Sequence, residues 1–189
     1  MKNKLIISLL LSLFCFNLSA QLVDTQELKG ADSTYIKEFY KGKIYGTESY
    51  SIRNKNATFK NVESYYMEYS EYTRKYPLIE VSNKQELDLY VRVFLAPHFK
   101  NVKNENLEKN YIIVTLFSDI EGNLNDINIF GRSGVDIPVL AIEQFHKALL
   151  KSSLRLIFNN TTRAFRDSPW VGREYGYSFS ELKQMALEE

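Results

Sequence analysis

Tyr111-Ile112-Ile113-Val114-Thr115-Leu116-Phe117-Ser118-Asp119-Ile120-Glu121-Gly122-Asn123-Leu124-Asn125-Asp126-Ile127-Asn128-Ile129 is the stretch that decides how this chain folds. Residues 111–117 are apolar, aromatic or β-branched throughout, which suits a pleated and largely buried strand. Residues 118–123 supply a turn, because Gly122 and Asn123 tolerate the positive φ that hairpins use. From Leu124 the chain alternates, with Leu124, Asp126 and Asn128 on one face and Ile127 and Ile129 on the other. Gly131-Arg132-Ser133-Gly134 is expected to break this second strand. A long amphipathic helix should follow, with Asp136 as its N-cap and Pro138 in its first turn. Ile142, Phe145, Leu149 and Leu156 form its buried stripe, and Asn159-Asn160-Thr161-Thr162 ends it.

Upstream, Ser82-Asn83-Lys84-Gln85 has the form of a capping box, in which Ser82 meets an orphan amide and Gln85 reaches back. Leu87, Tyr90, Val91, Phe94 and Leu95 then lie on one helical face, and Pro97 stops the helix. Residues 100–110 are a charged, asparagine-rich connection. Downstream lies the only tryptophan, Trp170. A further strand is expected near 175–179, and Ser178-Phe179-Ser180-Glu181 reads as a second capping box opening a short C-terminal helix. The fold class is α+β: a small antiparallel sheet packed against helices, in the order helix-strand-strand-helix-strand.

The N-terminal part divides differently. Lys2 and Lys4 precede an apolar run over 5–16 that is short for a bilayer span, and Asn17-Leu18-Ser19-Ala20 offers a signal-peptidase site before Gln21. An uncleaved anchor is the competing reading, disfavoured by that length. Phe14 is too large for a lipobox at Cys15, the only cysteine, which leaves with residues 1–20. The exported remainder then has no disulfide and no thiolate chemistry. Residues 21–33 look like a loose polar leader. Residues 21–76 form a tyrosine-rich region, with one or two short strands over 43–52 and a turn at Asn54-Lys55-Asn56. Val62, Tyr66, Tyr69, Tyr72 and Tyr76 follow a helical stripe while Tyr65, Met67 and Tyr69 alternate; a helix ended by Pro77 is the expectation.

The order of elements over about 76–179 resembles the TonB C-terminal domain family, within a domain expected over 77–189 that ends in the short C-terminal helix. Ile112, Val114 and Leu116 match its V-x-V-x-F strand, Asp119 to Gly122 its D-x-x-G turn, and 124–129 its V-x-D-V-x-V strand. The chain departs from that family in three places. Ala96-Pro97-His98 replaces a tyrosine-proline pair, Pro169 precedes Trp170 instead of following it, and a cleavable leader stands where a transducer has an anchor and a proline-rich span. The resemblance therefore implies a soluble, exported envelope module that pairs a partner peptide at a sheet edge. Its contacts would be Leu124, Asp126 and Asn128 on the second hairpin strand, with Trp170, Tyr175 and Tyr177 around the last strand. The implied partner is an envelope or outer-membrane protein or peptide, in the periplasm or outside a Gram-negative envelope.

Chemistry is sparsely signalled. Loss of Lys2 and Lys4 takes the formal charge from +1 to −1, which argues against a nucleic-acid partner. No further run approaches membrane length. His98 and His146 are the only histidines and lack ligand spacing, so both read as packing or surface residues and no metal is expected. Asp119, Glu121, Asn123, Asn125 and Asp126 hold enough oxygens for calcium, but polar residues bonding their own backbone explain them more simply. The tyrosine cluster offers a binding platform or, more simply, a small core. No nucleophile elbow or phosphate loop occurs, and neither catalytic residues nor a cofactor are expected. The expected function is non-enzymatic protein binding or a structural role. The alternative is a secreted hydrolase acting on glycans or peptidoglycan through paired carboxylates.

Overall fold

The computed structural model describes residues 20–42, 48–57, 79–103, 107, 110–132, 135–158 and 170–188. Residues 1–19 of the expected signal peptide, the expected helix over 59–76 and the Asn-Asn-Thr-Thr terminator lie outside these residues. Six strands make one antiparallel sheet: β1 (Ala20–Lys29), β2 (Thr34–Gly42), β3 (Glu48–Asn54), β5 (Tyr111–Ser118), β6 (Leu124–Arg132) and β8 (Val171–Ser178). Their order across the sheet is β1-β2-β3-β6-β5-β8, while β4 (Ile79–Val81) and β7 (Leu156–Phe158) pair in a separate two-stranded ribbon. Helices α1 (Lys84–Phe94), α2 (Val139–Lys151) and α3 (Phe179–Met185) complete the α+β fold, with a 3₁₀ turn at Ala96–Phe99.

The register explains the layering. Residues two apart on a strand share a face, and so do residues directly opposite. Tyr35 and Lys37 on β2, Tyr50 and Ile52 on β3, Ile127 and Ile129 on β6, and Ile112, Val114 and Leu116 on β5 thus point one way. Nearly all of these are buried, and they join Leu87 and Val91 of α1 and Ile142, Phe145 and Leu149 of α2 in one core. The opposite face carries polar pairs: Arg53 Nη2 donates to Glu38 Oε1 at 2.9 Å, and Ser51 Oγ to Asn128 Oδ1 at 2.8 Å.

The hairpin follows the sequence reading closely. Gly122 is the only positive-φ residue among those described, at 86°, and Asp119 Oδ1 accepts from the amides of Glu121 and Asn123, each at 2.9 Å. Asn123 Nδ2 also donates to Asp119 Oδ2. Those oxygens are spent on the turn's own backbone, as a hairpin requires.

Several boundaries differ. Residues 21–33 are not a loose leader: β1 is a ten-residue strand laddered onto β2, held by backbone pairing with only Leu28 packed against the core. Over 43–52, the described part forms the start of β3, and the Asn54 turn closes with Ala57 N donating to Asn54 O at 3.1 Å. Gly131 does not break β6, which runs on to Arg132; a Cβ there would come 2.8 Å from the Tyr50 ring, so the glycine makes room for that ring.

Helix starts also shift. Asn83, not Ser82, caps α1 by accepting from Glu86 N, and Ser82 Oγ accepts from Arg155 N instead. Asp136 does not cap α2, whose N-cap is Pro138, because its carboxylate is engaged by Lys37. The second helix stops at Lys151, since Ser152 turns its hydroxyl onto Leu149 O and accepts from Leu154 N. Leu156 therefore opens β7 rather than extending the helical stripe. The last strand exists and is longer than expected, and the Ser178–Glu181 capping box opens α3 as read from sequence.

Candidate functional site

The six residues expected at a sheet edge are distributed by this topology into two settings. The second hairpin strand, β6, is not an edge, because β3 and β5 flank it. Leu124 is half-buried, Asn128 is bonded to Ser51, and Asp126 is buried. On β8, Tyr177 is buried and donates to Asp88 Oδ1 at 2.9 Å, with Lys84 Nζ 4.8 Å above its ring. Tyr175 accepts from Val81 N at 2.6 Å, and Trp170 packs edge-on against Phe117 at 5.1 Å. These three rings anchor β8 to its surroundings. Among the described residues, the edge strands of the six-stranded sheet are β8 and β1.

β1 is the barer of the two, with every side chain from Leu22 to Glu27 exposed. Its outward amides follow from the hairpin: Gly30 N donates to Ser33 O, so alternate residues back from Gly30 bond β2 and those between face away. Thr25 and Glu27 thus present amides to the open side. Thr25 N already turns to Asp24 Oδ1 at 2.8 Å, and a bulge between Leu22 and Asp24 interrupts the ladder. Both features blunt an edge against indiscriminate pairing.

Beside β1 the sheet dips into a cavity of about 750 Å³. Lys37, Phe39, Tyr50, Val135 and Asp136 line it with residues from β1. The Lys37 ammonium is buried, 2.7 Å from Asp136 Oδ1 and 4.7 Å from the Tyr50 ring centre. Tyr50 is 2% exposed, and among the described residues its hydroxyl has no hydrogen-bond partner. Burial pushes that phenol far above its usual range, with the Asp136 charge adding to the effect, so it remains a neutral donor.

A second polar cluster lies under α2. Tyr35 hydroxyl is 3.0 Å from His146 Nδ1, and His146 Nε2 approaches Asp126 Oδ1 at 3.3 Å without hydrogen-bond geometry. One turn earlier, Glu143 accepts from the amides of Ala31 at 2.6 Å and Asp32 at 2.8 Å, and Lys147 reaches both Glu143 and Asp32. Burial works to raise the Glu143 pKa; the two amides and the Lys147 charge outweigh it and hold the carboxyl low. Burial brings His146 down to about 4, against the pull of Glu143, and lifts Asp126 to about 6, against its bond from Ile127 N and the Arg53 charge.

The two shifts act on stability with opposite sign. His146 is depressed below 6.5, so its contribution is full above that pH and lost as pH falls through about 4. Asp126 is raised from 3.8, so its contribution is full below that pH and lost as pH rises through about 6. Between these limits the two slopes offset each other. Asp126→Asn removes one of them, so its urea midpoint should fall more steeply than that of wild type between pH 6 and pH 4. Parallel pH profiles for the two proteins would refute the pairing.

Sequence reasoning read His146 as a packing or surface residue and took Asp136 for a cap; Tyr50 fell within the tyrosine cluster, and Lys37 was missed, because nothing local marks a lysine that a distant loop will bury. Among the described residues no three histidine, cysteine or acidic side chains gather as a metal site, and no helix is long and apolar enough to cross a membrane. No family model matches the chain, and no curated protein does. The crystal structure of a DUF5043 family protein from Bacteroides uniformis ATCC 8492 is similar in fold. Its TM-score is 0.52 at 8% identity, over 86% of this chain and 90% of that one.

Proposed function

We propose that this protein is an exported, non-enzymatic binding module of a bacterial cell envelope, which takes an extended peptide of an envelope or outer-membrane protein onto the open edge of β1. The observation that carries this reading is the exposed flank of that ten-residue strand, where the Glu27 amide faces outward and the Thr25 amide is covered by the exposed side chain of its neighbour Asp24, which an added strand would replace. An added strand gains affinity from main-chain hydrogen bonds, and its side chains alternate over the two faces for specificity. The leader read over 1–20 supports export, and cleavage before Gln21 leaves the ladder intact from Gln21↔Lys41 to Lys29↔Thr34. A hydrolase needs two acids facing a cleft. Asp126 and Glu143 have pKa values pushed apart but neither lines the cavity; Glu48 and Asp136 do line it, and there the Asp136 carboxylate is engaged by Lys37.

Thr25→Pro tests the edge. It deletes an outward amide and leaves the β1–β2 ladder bonds in place. Wild-type protein used as bait in envelope extract should capture one dominant partner, and Thr25→Pro should lose at least about tenfold of it, equivalent to roughly 1.4 kcal/mol, at an unchanged melting temperature. Equal capture by both proteins, or capture of nothing by wild type, sinks the proposal.

A further inference from the structure

We infer that the cavity between β1–β3 and the segment leading into α2 is a binding site for a small organic monocarboxylate with an apolar body, seated on Lys37 in place of Asp136. This stands apart from the β1 edge, since it needs no added strand.

Lys37 is the centre of the inference. Its side chain is 9% exposed, and a buried ammonium requires an anion. The anion it has is a poor one to keep: Asp136 is 85% exposed, on an irregular segment before α2. Releasing that carboxylate costs little, because it is already largely hydrated and its attraction is screened. The 2.7 Å contact between Lys37 Nζ and Asp136 Oδ1 therefore marks where a foreign carboxylate oxygen would sit. The site's own sequence supplies an internal stand-in for the ligand.

The surroundings select the rest of the molecule. Phe39 and Tyr50 flank the ammonium at 5.1 and 4.7 Å and give an apolar, π-rich wall, extended by Val23 and Val135. Tyr50 gives the ammonium its ring face, while its hydroxyl is buried over Gly131 of β6, so the carboxylate seat rests on Lys37. Charge sets the valence. The lining holds Lys37 and Lys41 against Glu48 and Asp136, so displacement of Asp136 leaves a net single positive charge. That balance suits a monoanion and disfavours a phosphate dianion. The volume of about 750 Å³ lies within the ordinary range for small-molecule sites.

The test is calorimetric titration of the purified protein with phenylacetate and octanoate, with phenylacetamide as the neutral control. At least one carboxylate should bind saturably and phenylacetamide should not. Lys37→Met should weaken binding by at least about tenfold, since it removes the charge from the carboxylate seat. Asp136→Asn should tighten it by about fivefold to tenfold, because the competing carboxylate is gone. A purely structural Lys37–Asp136 bridge gives no such gain. If Lys37→Met fails to fold, Asp136→Asn still decides, since its side chain is exposed. Absence of saturable binding to both wild type and Asp136→Asn overturns the inference; so does phenylacetamide binding as well as phenylacetate, or weaker binding by Asp136→Asn.

Discussion

Replacing Gly122 by alanine is expected to remove about 4 kcal/mol of unfolding free energy, at the upper end of single-residue effects. Two costs combine. At φ 86° an L side chain is strained by about 1–2 kcal/mol. A Cβ would also stand 2.0 Å from the carbonyl oxygen of Leu156, which is backbone and cannot rotate aside. The chain must then separate the hairpin from β7, breaking the 2.9 Å bond from Leu156 N to Gly122 O and the neighbouring bridge between Asn123 and Arg155. Urea unfolding should show a lower midpoint with an unchanged slope. Gly176→Ala is the matched control, because nothing lies within 4 Å of its Cβ position; it should shift stability by less than about 1 kcal/mol. Equal responses from the two glycines would falsify the account of this turn.

Glu143→Ala is expected to cost about 3 kcal/mol, by stranding donors in a buried place. Glu143 is 2% exposed and is the acceptor for two successive amides of the β1–β2 turn, Ala31 and Asp32. Gly30 leaves the room it occupies: a Cβ there would meet Glu143 Oε2 at 2.4 Å. Without the carboxylate those amides lose their partner and Lys147 loses one of its two. Hydrogen exchange separates this from general loosening. In Glu143→Ala the Ala31 and Asp32 amides should exchange faster by more than the global loss explains, and Glu143→Gln, which keeps an acceptor, should fall between. Uniform acceleration across the sheet would count against a local tie.

The part of the fold that sequence made legible is the part held by local rules. The hairpin over 111–129 carries its own alternation and turn residues, and the 178–181 capping box is complete within four residues, so both appear where expected. What failed was decided by distant partners. Residues 21–29 have too little apolar character to announce a strand, and they become one because β2 offers a ladder. Asp136 looks like a cap until Lys37, 99 residues earlier, claims its carboxylate. His146 and Tyr35 are 111 residues apart, and no local pattern relates a helical histidine to a strand tyrosine. The edge strand likewise depends on sheet order, which alternation cannot supply: β6 has the profile of a half-exposed strand yet lies inside the sheet.

The seam between β3 and β6 has a consequence for how the molecule assembles. On one side, β1, β2 and β3 are joined by short connections and form a meander from neighbours in sequence; on the other, β5 and β6 do the same as a hairpin. Across the seam, Ser51 meets Asn128 from 77 positions away. Closing so long a loop must precede any reward from the contacts it makes, and non-local pairing of this kind slows folding. The two local units are expected to form first and the seam last, so the rate of folding is set by how fast two finished ribbons find their common register, with Gly131 under the Tyr50 ring as the notch that fixes it.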